Sequence, residues 1–366
     1  MSLLEKQKLD SDLLVSSFLP RGLSLSAHRT YLSGTPSSGK TSLALRQAKP
    51  ACLHYVNLSV IFDPIAKREA KEALVNLGRE IELVIIDNYE LGFLDSAMLA
   101  SLESKRLIAI GSHALKTQDA ILSSFSTAVL RGLSFDEYLA GNTKNLGLEN
   151  LLSNFIQQGN SPALLSLNAL QQPQKRYEIM RLALGEDCGV FRAMLSLQSL
   201  KLTTNAIYTR LKAHSQLSKD RLYPLINRLA MEHRIFICEH RGNANSKHRR
   251  YKLYFYDFSL SALADSRHFL RIYENMVFLE LLHLGLNLHY DDYFDFIDEE
   301  KGLVFFCMPF SSLEHIKSRI AKVKNLLDNS SNKLIVISMN LHVELEERAI
   351  ILDFASLCLL DDLVKT

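Results

Sequence analysis

Residues Gly34-Thr35-Pro36-Ser37-Ser38-Gly39-Lys40-Thr41 form a complete G-x-x-x-x-G-K-T octet, and few strings of this length restrict a fold so tightly. Glycines permit the backbone angles that turn successive N–H groups toward one point, and the lysine adds a full charge beside them. Such a cradle suits a chain of phosphates. Lys40 would reach the β- and γ-phosphates, Thr41 would ligate Mg²⁺, and Ser42 carries the loop into its helix. The context agrees: Thr30-Tyr31-Leu32-Ser33 reads as a short strand entering the loop, and Ser42-Leu43-Ala44-Leu45-Arg46-Gln47 as the helix leaving it. ATP and Mg²⁺ are the expected ligands.

Composition bounds what surrounds the loop. A chain of 366 residues has room for about two to four domains, each with its own core. Apolar content of 47% and charged content of 22% exclude wholesale disorder. The net charge of +2 predicts no polyanion partner for the chain as a whole, so any such contact must come from local clusters. The five cysteines, Cys52, Cys188, Cys238, Cys307 and Cys358, are scattered without a C-x-x-C pair, which indicates neither a disulfide framework nor a zinc site. A reducing cytoplasmic location is expected. Met1-Ser2-Leu3-Leu4-Glu5-Lys6 lacks the apolar core of an export signal, and no uninterrupted apolar run approaches ~18 residues, so no membrane contact is expected.

Up to about residue 140 strand-like and helix-like segments alternate, which predicts an α/β domain with a doubly wound parallel sheet. Ala51 to Asn57 reads as a strand, Pro64 to Leu77 as an amphipathic helix, and Ile81 to Asp87 as a buried strand. The last places the Asp87 carboxylate at a strand's C-terminal end, where open α/β sheets bind ligands and where it would hold Mg²⁺ through water. Next to it stands Asn88, which can orient a water molecule but cannot take its proton. Hydrolysis would therefore be slow, use Glu90, or be absent. The strand Leu107 to Ile110 leads into Gly111-Ser112-His113, where Ser112, and after it His113, could sense the γ-phosphate; an ordinary turn is the competing reading. Ser134 and Glu137 have the spacing of a capping box that opens a helix.

Helical, loop-punctuated sequence follows from about 141 to 188: Leu146 to Gln157, Ala163 to Leu170, and Tyr177 to Leu184. From 189 to 262 the order changes to three helices (Phe191 to Leu200, Thr204 to Lys212, Ser218 to Leu229) and two strands (Ile235 to Glu239, Tyr251 to Asp257). Between the strands lies a tip with Arg241, Lys247, Arg249 and Arg250. Three helices and a basic hairpin predict a winged helix. Its DNA-binding candidates are Lys219 and Arg221 on the third helix and Arg241, Lys247, Arg249 and Arg250 on the wing. Such domains also serve as protein-binding modules.

Together the phosphate loop, the strand ending in Asp87, the Gly111-Ser112 turn, Gly132 to Tyr138 and Phe155 to Pro162 resemble the bacterial and archaeal AAA-type ATPases related to STAND NTPases. The resemblance implies a P-loop ATPase domain (1–140), a helical lid (141–188), a winged helix (189–262) and a small α/β restriction-endonuclease-like domain (263–366). Where that family has Asp-Glu this chain has Asp87-Asn88, and Arg131 reads as a solvated surface arginine rather than an arginine finger. In the C-terminal part Arg271 to Leu282 resembles the first helix of the nuclease-like fold, Tyr293 to Ile297 its second strand and Leu303 to Met308 its third. Asp295 matches the metal-binding aspartate. The Glu-x-Lys positions hold Phe306, Cys307 and Met308, which neither bind Mg²⁺ well nor handle a proton. Nuclease activity is not expected, and Glu274 and Asp295 read as remnants. Leu334 to Ser338 and Ala349 to Asp353 add strands to what would be a protein-interaction platform.

The sequence therefore reads as an ATP-binding AAA-like ATPase whose nucleotide state is coupled to a winged helix and a degenerate nuclease-like domain. The alternatives are a nucleotide-gated regulator or scaffold with little hydrolysis, and a DNA-binding transcription factor. Implied partners are ATP, DNA through the winged helix and a protein through the C-terminal domain, with homo-oligomerisation left open.

Overall fold

A computed structural model describes residues 19–142, 146–212, 218–245, 249–264, 268–328, 330–346 and 348–359. Met1 to Lys6 and Lys247 lie outside them. The chain divides into two compact units, one running to Gly132 and taking in Met231–His233, the other comprising Leu133–Ala230 and Arg234 onward.

In the first unit the elements are β1 (Arg29–Gly34), α1 (Lys40–Leu45), β2 (Leu53–Asn57), α2 (Pro64–Val75), β3 (Leu83–Asp87), α3 (Ser96–Ser101), β4 (Arg106–Ile110), α4 (His113–Gln118) and β5 (Ser126–Leu130). All strand pairs are parallel, in the order β2-β3-β4-β1-β5. Parallel strands are covered on both faces and so appear as unbroken apolar runs, as in Leu83-Val84-Ile85-Ile86, where every residue is buried. Alternate side chains feed two cores: Tyr31, Val84, Ile86, Leu107 and Ala109 enter one, Leu32, Ile85, Ile108 and Ile110 the other. With the phosphate loop joining β1 to α1, this is a P-loop NTPase α/β fold. β2 begins two residues later than expected, because Pro50 opens a 3-10 turn over Pro50–Cys52.

The second unit contains α5 (Phe135–Gly141), α6 (Leu148–Gln158), α7 (Gln172–Leu184), α8 (Cys188–Met194), β6 (Leu202–Thr203), α9 (Thr204–Lys212), α10 (Lys219–Met231, its last residue grouped with the first unit), β7 (Ile235–His240) and β8 (Arg250–Phe255). Then come α11 (Phe269–His283), β9 (His289–Tyr290), β10 (Phe296–Asp298), β11 (Leu303–Cys307), α12 (Leu313–Asp328), β12 (Lys333–Ser338), β13 (Val343–Glu346) and β14 (Ala349–Asp353). Its sheet runs β13-β14-β12-β11-β10-β9-β7-β8-β6.

Further features depart from the sequence expectations. The β7–β8 hairpin does not stand alone: β7 pairs in parallel with β9 through Glu239↔His289 and His240↔Tyr290, so regions read as separate share one sheet. An open edge strand offers unpaired N–H and C=O groups, and β9 satisfies those of β7. Secondly, α5 belongs to the second unit and not to a domain ending at 140, because Phe135 and Tyr138 pack into a core with Phe155, Tyr273 and Phe354. Thirdly, the helix expected over Ala163 to Leu170 is only a 3-10 turn at Pro162–Leu164. The Asn168 side chain accepts from the N–H groups of Leu170 and Gln171, at 3.0 Å each, and bends the chain locally. Among the described residues no helix is long and apolar enough to cross a membrane.

Candidate functional site

The phosphate loop is shaped by positions that demand glycine. At Gly34 φ is +143°, and a Cβ would stand 1.9 Å from the Leu130 carbonyl oxygen. The adjoining Thr35 N–H donates to that oxygen at 3.0 Å, binding the start of the loop to the end of β5. Ser37 (φ +51°) and Gly39 (φ +88°) adopt left-handed conformations, which fold the backbone into a concave nest. Lys40 Nζ donates to Thr35 O at 2.8 Å and Gly34 O at 3.4 Å, so the ammonium lies over the mouth of its own loop. Ser42 accepts on its carbonyl from Arg46 N–H as α1 ends.

β3 delivers Asp87, 5% exposed, to the same place. Its Oδ2 accepts from Thr41 Oγ1 at 2.7 Å and from the Tyr55 hydroxyl at 3.0 Å, and its Oδ1 from the Asn88 N–H at 2.8 Å. A hydroxyl and a carboxylate in contact are oxygen donors of the kind Mg²⁺ takes, and the residues fit that ion. Among the described residues no group of three or more His, Cys, Asp or Glu side chains could hold a metal. Thr41 and Asp87 are the residues that would hold such an ion.

Asn88 has φ +52° and donates from Nδ2 to Asn57 Oδ1 at 2.8 Å; Asn57 Oδ1 also accepts from Ser59 N–H and Oγ. Asparagine is one of the few side chains that enters the left-handed region at modest cost. Backbone conformation is thus a second reason for Asn88, beside the chemical one. Glu90 is exposed and paired with Lys67 at 2.5 Å. Ser112 precedes α4 without capping it through its side chain; its carbonyl accepts from the Tyr31 hydroxyl at 2.7 Å. Gly111 lets that tyrosine pass, since a Cβ there would lie 2.4 Å from the Tyr31 oxygen.

Two residues unmarked by any motif join this group. His233 (φ +56°) packs its ring 5.3 Å from that of His113. Burial first, then the charges of His113, Arg131 and Lys40, push the His233 imidazole down to about 4. The three charged groups that lower it, His113, Arg131 and Lys40, are all basic. Arg131 corrects the surface reading: burial lowers the basicity of its guanidinium, which costs the charged form its hydration. The other residue is Arg21, which donates to the carbonyls of Ser38, Arg131 (2.7 Å) and Gly132 (3.1 Å).

The DNA-binding candidates are dispersed. Lys219 and Arg221 are exposed on α10, with Lys219 Nζ 5.3 Å from the Tyr208 ring centroid. On the wing, Arg241 pairs with Glu299 at 2.7 Å and Arg250 with Asp292 at 3.2 Å, while Arg249 is exposed. Carboxylates of the same unit thus already engage two of the wing's arginines. The carboxylates read as nuclease remnants have a partner that sequence order hid. Lys252, from β8, is 2% exposed; its Nζ meets Glu274 Oε1 at 2.7 Å and the Asp295 carbonyl at 3.4 Å. Tyr254 donates to Glu274 at 2.6 Å, and Cys307 N–H to Asp295 Oδ2 at 3.0 Å. Burial raises the Glu274 carboxyl, against the pull of Lys252.

No protein-family profile and no curated protein matches the chain. Among solved structures, a Walker-type ATPase of Pyrococcus abyssi is similar over 71% of this chain and 94% of its own, with 15% identity and a TM-score of 0.40. The Orc1 protein of Aeropyrum pernix in complex with DNA is similar over 78% and 95%, with 15% identity and a TM-score of 0.29. Neither likeness adds weight to the strand order and loop described above.

Proposed function

We propose that the protein binds ATP with Mg²⁺ at Gly34–Thr41 and turns it over slowly as an AAA-like P-loop ATPase. One observation carries this reading: the Thr41–Asp87 contact at 2.7 Å lies beneath a loop flanked by Lys40, Arg131 and His233. The N–H groups of residues 37–41 and the Lys40 ammonium bind the phosphates, while Thr41 and Asp87 would hold the ion. When bound, Mg²⁺ neutralises charge on the phosphate oxygens as a Lewis acid. Ser112 and His113, at the end of β4, and His233 are placed to respond to the terminal phosphate. The position after Asp87 offers a water molecule an amide in place of a carboxylate, so proton removal is the slow part.

In the same reading α8, α9, α10 and the β7–β8 hairpin form a winged helix, preceded by a helical lid. The remaining strands form a nuclease-like domain without nuclease activity, suited to a protein partner. DNA contact rests on the exposed Lys219, Arg221 and Arg249. The second reading, a nucleotide-gated regulator with negligible turnover, is favoured by Glu90, which Lys67 holds at 2.5 Å.

ATP affinity and single-turnover hydrolysis of the parent, Lys40→Ala and Asn88→Asp provide the test. Lys40→Ala should weaken ATP about tenfold to a hundredfold, the range for a lost charged hydrogen bond. Aspartate tolerates the left-handed backbone at 88 and restores a proton acceptor, so Asn88→Asp should raise turnover. Saturable binding without turnover in either protein selects the regulator; absence of saturable ATP binding by the parent rejects both.

A further inference from the structure

Arg21 lies well before the phosphate-loop motif, yet its guanidinium bridges the loop and the end of β5. One nitrogen donates to Ser38 O, and the other to Arg131 O at 2.7 Å and Gly132 O at 3.1 Å. A trans peptide is planar, and its C=O and N–H point in opposite directions. Holding the Ser38 carbonyl on the outside therefore turns the Gly39 N–H inward. Conformation makes this orientation worth holding: Ser37 at φ +51° and Gly39 at φ +88° have alternatives close in energy, because glycine moves freely and serine is strained in the left-handed region.

Leu130 already braces the loop's first residues through the Thr35 N–H at 3.0 Å. Arg21 braces the far side from the same strand end. A guanidinium suits the task because its N–H groups form a rigid planar fork that serves several carbonyls at once, whereas an ammonium is a single point on a flexible stem. We infer that Arg21 is a positioning residue for polyphosphate binding, fixing the outward Ser38 carbonyl so that the Gly39 N–H faces the bound phosphates. The inference rests on the nucleotide reading of the loop.

The test uses the full chain with Arg21→Met and Arg21→Lys. Affinities for ATP and for inorganic tripolyphosphate are measured beside the ligand-free melting temperature and the Gly39 amide resonance of ¹⁵N-glycine-labelled protein. In the parent, tripolyphosphate should move the Gly39 amide proton downfield. In Arg21→Met that shift should vanish and both affinities fall by about tenfold, the loss of one charged hydrogen bond, with little change in melting temperature. Arg21→Lys should recover part of both. Parent-like affinities and an unchanged Gly39 shift in Arg21→Met overturn the inference and leave the nucleotide reading intact. If the parent binds neither ligand, the nucleotide reading fails and takes this inference with it. Should Arg21→Met not fold, Arg21→Lys decides alone: a reduced Gly39 shift at parent-like melting temperature supports the role, and parent-like affinity overturns it.

Discussion

Lys40, in the first unit, lies across the carbonyls of Gly34 and Thr35, whereas Lys252, in the second, is 2% exposed and meets the Glu274 carboxylate at 2.7 Å. Lys252 stands beside Glu274 and Asp295, and Lys40 is followed by Thr41, whose hydroxyl meets Asp87. The difference is in how the charges are satisfied. The Lys40 hydrogen bonds described above go to backbone oxygens, which a phosphate chain would outcompete because it bears full charge. Around Lys252 the partner is a half-buried carboxylate, and breaking that pair would leave a charge without its partner at the edge of the core. The first arrangement is ready to exchange partners; the second is complete within itself. Lysine near acids therefore does not define a functional site until the permanence of its pairing is known.

The sharpest test exchanges the two lysines' fates. Lys252→Met should cost about 3–5 kcal/mol of stability, the usual penalty for removing one partner of a buried pair, and leave ATP affinity unchanged. Burial holds the Glu274 proton affinity high, so the deficit should shrink as pH falls and the stranded carboxyl takes up a proton. Lys40→Met should show the reverse, with nucleotide affinity lost and the melting temperature nearly kept. If Lys252→Met weakens ATP as strongly as Lys40→Met does, the contrast is broken.

A smaller effect comes from Glu280 in α11, 6% exposed, whose carboxylate oxygens accept from Phe135 N–H at 3.3 and 3.2 Å. Burial pushes this carboxyl up to about 8, with Asp136 and Glu137 adding to the rise. Its folded value exceeds its unfolded one, so its contribution is complete below the unfolded value and is lost as pH rises toward 8. Glu280→Gln should be neutral near pH 4 and stabilise by on the order of 2 kcal/mol at pH 8, as denaturant midpoints will show. A variant destabilised equally at both values would mean that the carboxyl matters only for packing.

The smallest effect is expected at His233. Its folded value near 4 lies below the ordinary 6.5, so whatever stability it confers is present above 6.5 and drains away as pH falls toward 4. A bound anion should raise that value, strengthening ADP binding by roughly twofold to fivefold between pH 7 and 5 relative to His233→Asn. Asparagine is the comparison because it accepts a positive φ. Identical pH profiles for the two proteins would remove His233 from the phosphate environment.

Much of the first unit was legible because its determinants are local. The strands ending at Asp87 and Ile110 are continuous apolar runs that only a sheet covered on both faces can use, and the loop's glycines serve a turn whose neighbours are mostly within the motif. The second unit was less legible. β9 and β10 have two and three residues, too short to declare a period, and the pairing of β7 with β9 is a long-range choice. For the same reason Tyr293 to Ile297 reads as a strand although β10 starts only at Phe296: Asp291 Oδ1 accepts from the N–H groups of Tyr293 and Phe294 at 2.7 Å each and turns the chain there.

The sequence alone determined the glycine-shaped loop, the carboxylate at its edge and the alternation that builds a parallel sheet, since each follows from residues within a few positions of one another. Only the tertiary structure decided which charges meet. It brought Arg21 to the back of the loop, His233 beside His113 and Lys252 between Glu274 and Asp295, and it showed that Asn88 occupies a left-handed turn. Charged and imidazole side chains carry no periodic signature, and their pairings depend on burial and distance, which arise only when the chain is packed.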